Sequence, residues 1–332
     1  MSGTLLAPPR DGEGDHAAGM VEGAPPRGPS PAASPLHPPA APGGPPPRAG
    51  AELKFQIGAR TLWTARRRVR RVALSLDAAL SGQAPALPPL AVREQGYLLT
   101  SLPAAVSVPA PGLLVHIRQR YRRYWVDVAA GEAAWWSGLS ANARSQLKRK
   151  EKKLLAAGAE IRRYRTPDGI ADFHPLARRV SAQTYQERLL DSGLPDDPTG
   201  LLGLAAADRV RAWLLLLAGE PIAYLCCTGE GGTLRYDHVG HLPDANAYAP
   251  GTVLQLHALR DLFADGRWTR VDFTEGEGQH KRQLATGGVD CVDLLLLRPT
   301  PGNRALLAAM WGFDAAVALA KRAAPWLRRF RR

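Results

Sequence analysis

Three cysteines in 332 residues exclude a disulfide-stapled framework. Cys226 and Cys227 are adjacent in a strand-like run, where neighbouring side chains point to opposite faces, and Cys291 lies in a different run; a reducing compartment fits this usage. No apolar run approaches the length of a membrane-spanning helix. From Met1 to Gly50 there is no Phe, Trp or Tyr among the prolines, alanines and glycines. Such a tail cannot bury enough apolar surface to offset its ordering entropy and is expected to be disordered. Its prolines also interrupt every stretch that could serve as a secretory signal, so a cytoplasmic location is expected.

Several kinds of chemistry lack their motif. Gly276 and Lys281 have the separation of a phosphate-binding loop, but His280 and Arg282 stand where a glycine and a hydroxyl residue are needed, and Glu275 and Glu277 would repel phosphate. No glycine pattern of a dinucleotide fold opens a helix after a first strand. His238 and His241, with Asp237 beside them, have a spacing that a strand places on opposite faces, so no metal site is expected. There is no G-x-S-x-G, and an apolar run around Cys226 and Cys227 keeps their thiols inert.

What the sequence has in excess is positive charge. Forty-three Lys and Arg against thirty Asp and Glu give +13. In the tail three arginines face four acids, which leaves +14 for the rest of the chain. The charge gathers in Arg60–Arg71, Arg118–Arg123, Arg144–Lys153 and the last twelve residues, six of which are basic. Such a field suits nucleic acid, an anionic membrane surface or a phosphate-rich cofactor.

The periodicity predicts a strand-rich stretch over 51–135, opening with a hairpin turned at Gly58 and continuing through three further short strands, "GYLLTSL", "LLVHIRQR" and "YRRYWVDVA". A helix follows from Ser140 to Gly158, with Leu139, Ala143, Leu147 and Leu154 along one side and Arg144, Lys148 and Lys152 on a cationic side that is either a solvated face or an anion-binding one. A second helical region starts at Thr166-Pro167 and runs toward Gly193, kinked or divided at Pro175. Three apolar runs separated by "GEP" and "GEGG" predict an antiparallel meander. The remainder reads as a helix from Pro250 to Gly266, the strand "WTRVDF", the loop "DFTEGEGQHKRQLATGG", the strand "VDCVDLLLLRP" and, over 301–332, a basic amphipathic helix suited to core docking or to anionic headgroups.

Two stretches are candidates for chemistry. At "YAPGTVL", Pro250 fixes the approach, Gly251 admits a ligand to the backbone, and the amides of Thr252, Val253 and Leu254 stand at the positive end of a helix, a seat for pyrophosphate or simply an ordinary helix start. The loop after "WTRVDF" gathers Asp272, Glu275, Glu277, His280 and Lys281, as a catalytic rim or as a charged surface connection.

Taken in order, "LSANARSQLKRKEKKL", "VSAQTYQERLLDSGLP", "GEPIAYLCC", "YAPGTVLQLHALRDLF" and "DFTEGEGQHKRQLATGGV" resemble the GNAT acyltransferase superfamily, and within it the CelD/BcsL-type acetyltransferases related to FemAB peptidyltransferases. The resemblance spans about Leu139 to Pro299. It implies an α/β (α+β) GNAT fold with a mixed central sheet flanked by helices, over a domain of 136–300, and acetyl-CoA or another acyl-CoA as co-substrate without a metal. It places the pyrophosphate at Gly251–Leu254 and the thioester between splayed strands, its carbonyl polarised by backbone amides of the strand holding Cys226 and Cys227. An amine, of a small molecule or of a cell-envelope glycan or peptide precursor, would attack the thioester, with Glu275, Asp272, His280, Lys281, Asp237 and Tyr236 as candidates for orienting and proton transfer. Fem-like relatives suggest aminoacyl-tRNA as another donor, held by Arg144–Lys153, and a nonenzymatic basic adaptor is a third reading. Contact with the inner face of a membrane would fall to the C-terminal helix.

Overall fold

The computed structural model describes residues 51–57, 60–184, 193–276 and 278–329. The Pro-rich stretch 1–50, Gly58 and Glu277 lie outside them. Strands β1 (Ala51–Ile57) and β2 (Arg60–Arg67) form an antiparallel hairpin. The arginine-rich run then divides at Arg68, and β3 (Val69–Ala73) joins β4 (Gly96–Pro103) in parallel. The segments read as two short strands after residue 113 are one, β5 (Leu114–Asp127). It pairs with β11 from Leu114 to Trp125, with one extra residue at Arg118, and with β10 from Trp125 to Asp127.

Two helices follow, α1 (Leu76–Leu80) having come earlier between β3 and β4: α2 (Glu132–Gly138) and α3 (Ala141–Ala156). Ser140 caps α3, its hydroxyl accepting from the Ala143 N–H, and Leu139, Ala143, Leu147 and Leu154 are all buried. A strand that the charged sequence obscured, β6 (Ala159–Tyr164), precedes α4 (Pro167–Ser181), which Thr166 caps and which keeps Pro175 inside it. The short α5 (Thr199–Ala206) was also not foreseen. The meander follows as β7 (Val210–Leu217), β8 (Glu220–Glu230) and β9 (Thr233–His241). Gly231 turns β8 into β9 with φ +58°, a conformation that costs glycine nothing. Then come α6 (Pro250–Asp265), closed by Gly266 at φ +65°, and β10 (Arg270–Asp272). The expected loop contains a helix of its own, α7 (Gln279–Leu284), before β11 (Gly287–Leu297) and α8 (Pro301–Arg329).

Nine strands form one mixed sheet in the order β3-β4-β11-β5-β10-β9-β8-β7-β6. The N-terminal strands β3 to β5 thus share a sheet with the meander. One face of its centre packs on α3 and α6 through Leu147, Leu154, Leu225, Leu234, Val253, Leu256, Val271 and Phe273. The other face carries two separate apolar clusters. Under α4 and α5 lie Phe173, Leu214, Tyr224 and Cys226; under α8 lie Leu295, Leu297, Leu307 and Met310. Burying a Leu- or Phe-sized side chain contributes roughly 1.5–3 kcal/mol, so each cluster is a strong anchor. Between the two anchors the face is polar.

Candidate functional site

The sheet parts at its middle. Strands β9 and β10 run parallel and pair only over Thr233–Arg235 and Arg270–Asp272. β9 continues to His241, so among the described residues its edge from Tyr236 onward has no strand on the β10 side. At the same place β9 carries one extra residue: Tyr236 pairs with Cys227 and His238 with Cys226, leaving Asp237 as a bulge. Asp237 fixes this bulge through its carboxylate, which accepts from the Thr228 N–H at 3.1 Å, from the Thr228 hydroxyl and from Arg235 Nε at 2.5 Å. A bulge re-aims backbone groups, here onto an open edge.

That edge belongs to β9, and this corrects the assignment of the polarising amides to β8. Cys226 and Cys227 pair with Ala212 and Arg211 on one side and with His238 and Tyr236 on the other. Both thiols are fully buried, on opposite faces. Burial pushes each thiol pKa well above its ordinary value, as an inert cysteine requires.

The start of α6 also departs from expectation. Ala249 adopts a left-handed conformation and its carbonyl accepts from both the Thr252 N–H at 3.1 Å and the Val253 N–H at 3.2 Å. Those two amides are therefore turned inward, and the side chains of Val253 and Leu254 are buried in the core. What the helix start offers is the N–H of Gly251, at the positive end of a sixteen-residue helix. Around it stand His241, whose Nδ1 lies 3.5 Å from where a Gly251 Cβ would be, and Lys153, which donates to the Ala247 carbonyl at 2.7 Å. Lys153 also lies 5.5 Å from the Tyr248 ring centroid.

On the face opposite α6 a polar strip runs across β10, β5, β11 and β4. Arg123 on β5 and Asp272 on β10 form a two-point ion pair, and Asp272 also accepts from the Thr274 N–H. With both oxygens engaged, Asp272 holds the strands together rather than taking a proton from a substrate. Farther along, Asp293 on β11 is flanked by an extra residue on each neighbouring strand, β4 and β5. Its carboxylate accepts from the Ser101 N–H at 3.1 Å, Gln119 Nε2 at 2.6 Å and the Tyr121 hydroxyl at 3.1 Å. Ser101 is buried at φ +60°, a strained conformation for a residue with a Cβ.

The loop after β10 reaches this cluster. Ser101 Oγ lies 3.4 Å from Glu275 Oε1 and 2.9 Å from the Tyr121 hydroxyl. Burial, with the neighbouring Asp293 charge second, raises the Glu275 pKa above the ordinary carboxylate range; burial does the same to Asp293. Lys281, on α7, is buried and donates to the Glu275 carbonyl at 2.6 Å, which fixes the loop. His280 on α7 is exposed. Tyr236 is buried on the α6 side, edge-on to Phe273. The structure thus brings Glu275, Asp272 and Lys281 to one region, with Asp237 at the parting of the strands and Gly251 at a separate helix end.

The cationic helix α3 is partly structural. Arg144 donates to the Ser137 and Leu139 carbonyls at the end of α2, and Lys148 lies 5.8 Å from the Trp136 ring centroid. Sequence reasoning missed Ser101, Tyr121 and Asp293, and weighed His238 only as a metal ligand. A signal existed for Asp293, a lone acid inside the apolar run "VDLLLL" of a buried strand, where an acid requires partners. Among the described residues no group of His, Cys, Asp and Glu side chains is placed to hold a metal ion.

Residues 141–282 match the profile of the "Acetyltransferase (GNAT) domain" family. No curated protein matches the chain. Solved structures similar in shape include the C-terminal domain of a protein described as a lysylphosphatidylglycerol synthetase from Agrobacterium fabrum, with 12% identity, TM-score 0.46, and 68% of this chain and 72% of that one covered. A GCN5-related N-acetyltransferase from Kribbella flavida has 15% identity and TM-score 0.34 over 62% and 69% of the two chains. FemX has 11% identity and TM-score 0.38 over 53% and 61%.

Proposed function

Residues 141–282 form an acetyltransferase (GNAT) domain, the protein is an acyltransferase, and from that premise we propose that it transfers an acyl group from acyl-CoA to an amine. The observation that carries this reading is the parting of β9 from β10 at the Asp237 bulge. A thioester lying along the open edge of β9 would find its carbonyl facing backbone N–H groups that no neighbouring strand occupies, and such fixed donors stabilise the oxyanion that forms on attack. The cofactor's diphosphate would sit by the Gly251 N–H at the start of α6, with Lys153 adding positive charge.

In the transfer, the neutral amine nitrogen attacks the thioester carbon, the C–S bond breaks, and the sulfur leaves with the electron pair as thiolate. The amine must lose a proton, so an unprotonated base, a carboxylate or a neutral imidazole, is needed near the open edge. Glu275, with its raised pKa and its tie to Ser101 and Tyr121, is suited to hold or orient the acceptor. The acceptor we infer is an amine on a cell-envelope or polysaccharide precursor. The exposed Trp311 and Leu319 on α8, with the basic residues at its end, support a peripheral location at the inner face of the membrane. No helix among the described residues is long and apolar enough to cross one.

Titration calorimetry with acetyl-CoA tests the donor. Saturable binding is expected, weakened at least tenfold, or ~1.4 kcal/mol, in Gly251→Asp, which sets a carboxylate where the diphosphate would lie. No binding of any acyl-CoA by the wild-type protein overturns the reading.

A further inference from the structure

We propose that His238 is the catalytic base that takes the proton from the acceptor amine. The proposal rests on the acyl-transfer reading and adds to it the residue and the face from which the acceptor comes. Its basis is a comparison of the polar side chains along the strip and on β9. Asp272 is paired with Arg123, Asp237 with Arg235 and Thr228, and Asp293 with Ser101, Gln119 and Tyr121. Glu275 lies within reach of the Ser101 hydroxyl. His238 differs from all of these. It is only 9% exposed, and its Nδ1 is buried without a hydrogen-bond partner.

The Gly193 backbone carbonyl stands beside the ring and favours its protonated form, and the ring nitrogen left without a partner is Nδ1. A neutral ring that turns its N–H toward that carbonyl keeps Nδ1 with its lone pair and no proton. A buried acceptor without a partner is unfavourable unless something arrives to satisfy it, and a substrate N–H supplies what Nδ1 lacks.

Position makes the same point independently. His238 is the first residue of β9 past the Asp237 bulge, where β9 has already left β10. It pairs with Cys226, whose side chain belongs to the cluster under α4 and α5, so its ring is on the face opposite α6. An acyl carbonyl on the open edge and an amine approaching from that face meet beside this imidazole. Burial is the main influence on the ring and lowers its pKa; Asp237 on the same strand opposes this and Arg235 adds to it. From the packed elements the ring also faces Cys226 of β8 and the Gly193 carbonyl of the connection between α4 and α5. The ring is accordingly neutral when the amine arrives. The amine N–H proton then passes to Nδ1 as the nitrogen bonds to the carbonyl carbon, and the imidazolium later returns it to the departing thiolate or to water.

The full chain is labelled with ¹⁵N-histidine and the His238 signals are assigned by their loss in His238→Gln. At pH 7 the ring is expected neutral with its proton on the nitrogen facing Gly193; a proton on Nδ1 overturns the proposal without any turnover being required. Thiol release from acetyl-CoA is then followed with spermidine and with glucosamine as amine probes. His238→Gln retains a donor for the Gly193 carbonyl but has no base, so release is expected to slow at least about 100-fold while acetyl-CoA affinity is unchanged. His238→Ala, which lacks both, is expected to lose no more rate than Gln. Wild-type rates in the Gln variant show a purely structural histidine and overturn the proposal. A wild-type protein that fails to bind acetyl-CoA overturns the donor reading instead, and calorimetry detects that before any rate is measured.

Discussion

Arg123 and Asp272 meet on adjacent strands in a two-point ion pair, Nε to Oδ1 at 3.1 Å and a terminal nitrogen to Oδ2 at 2.5 Å, with side-chain exposures of 5% and 1%. Arg123 also donates to the Leu74 carbonyl at 2.9 Å. The pair ties the short β10, which fixes where β9 departs, to the long β5. Asp272→Asn would leave the guanidinium buried without its countercharge. A loss of about 3–5 kcal/mol in unfolding free energy is expected, read from urea denaturation, and a change below about 1 kcal/mol would contradict this placement.

Glu275 and Asp293 bear on stability as a function of pH. Both have folded-state pKa values above their ordinary ones, burial being the main cause in each. A carboxyl that holds its proton more tightly when folded contributes stability below its unfolded value, about 4.3 for Glu, and that contribution is lost as pH rises through the raised folded value. Wild-type protein is therefore expected to lose stability from this pair as pH climbs out of the ordinary carboxylate range. In Glu275→Gln the decline should be shallower. Urea midpoints at pH 5 and pH 7.5 measure it, and parallel slopes for the two proteins would refute the assignment.

The three thiols are expected to ignore a disulfide reagent in the folded protein. Cys226 and Cys227 are fully buried, and Cys291, also buried, has a pKa pushed up to about 12 by burial first. All three should react once the chain is unfolded in guanidinium. Rapid titration of even one in native buffer would place it at the surface, against the sheet order given above.

Much of the frame was legible because local signals agreed with tertiary ones. Ser140, Thr166 and Gly266 end their helices as their chemistry dictates, and the "GEP" and "GEGG" turns mark the meander. Where the sequence misled, long-range pairing decided. "AEIRRY" is too charged to read as a strand, yet β6 forms because β7 supplies its partner, and α7 is a short helix within what reads as a loop. The same holds for the site. Asp272, Glu275 and Lys281 stand out beside glycines in one contiguous stretch, but Ser101, Tyr121 and Asp293 come from three strands that only the sheet brings together. At the start of α6 the left-handed Ala249, which no residue pattern announces, turned two predicted amide donors inward.

A crystal structure with acetyl-CoA bound tests the central claim most directly. The thioester is expected between β9 and β10, its carbonyl oxygen facing the backbone beside Asp237, and the diphosphate within reach of the Gly251 N–H and Lys153. Density for the acyl group elsewhere, or β9 and β10 found closed along Tyr236–His241 with the cofactor bound, would contradict it.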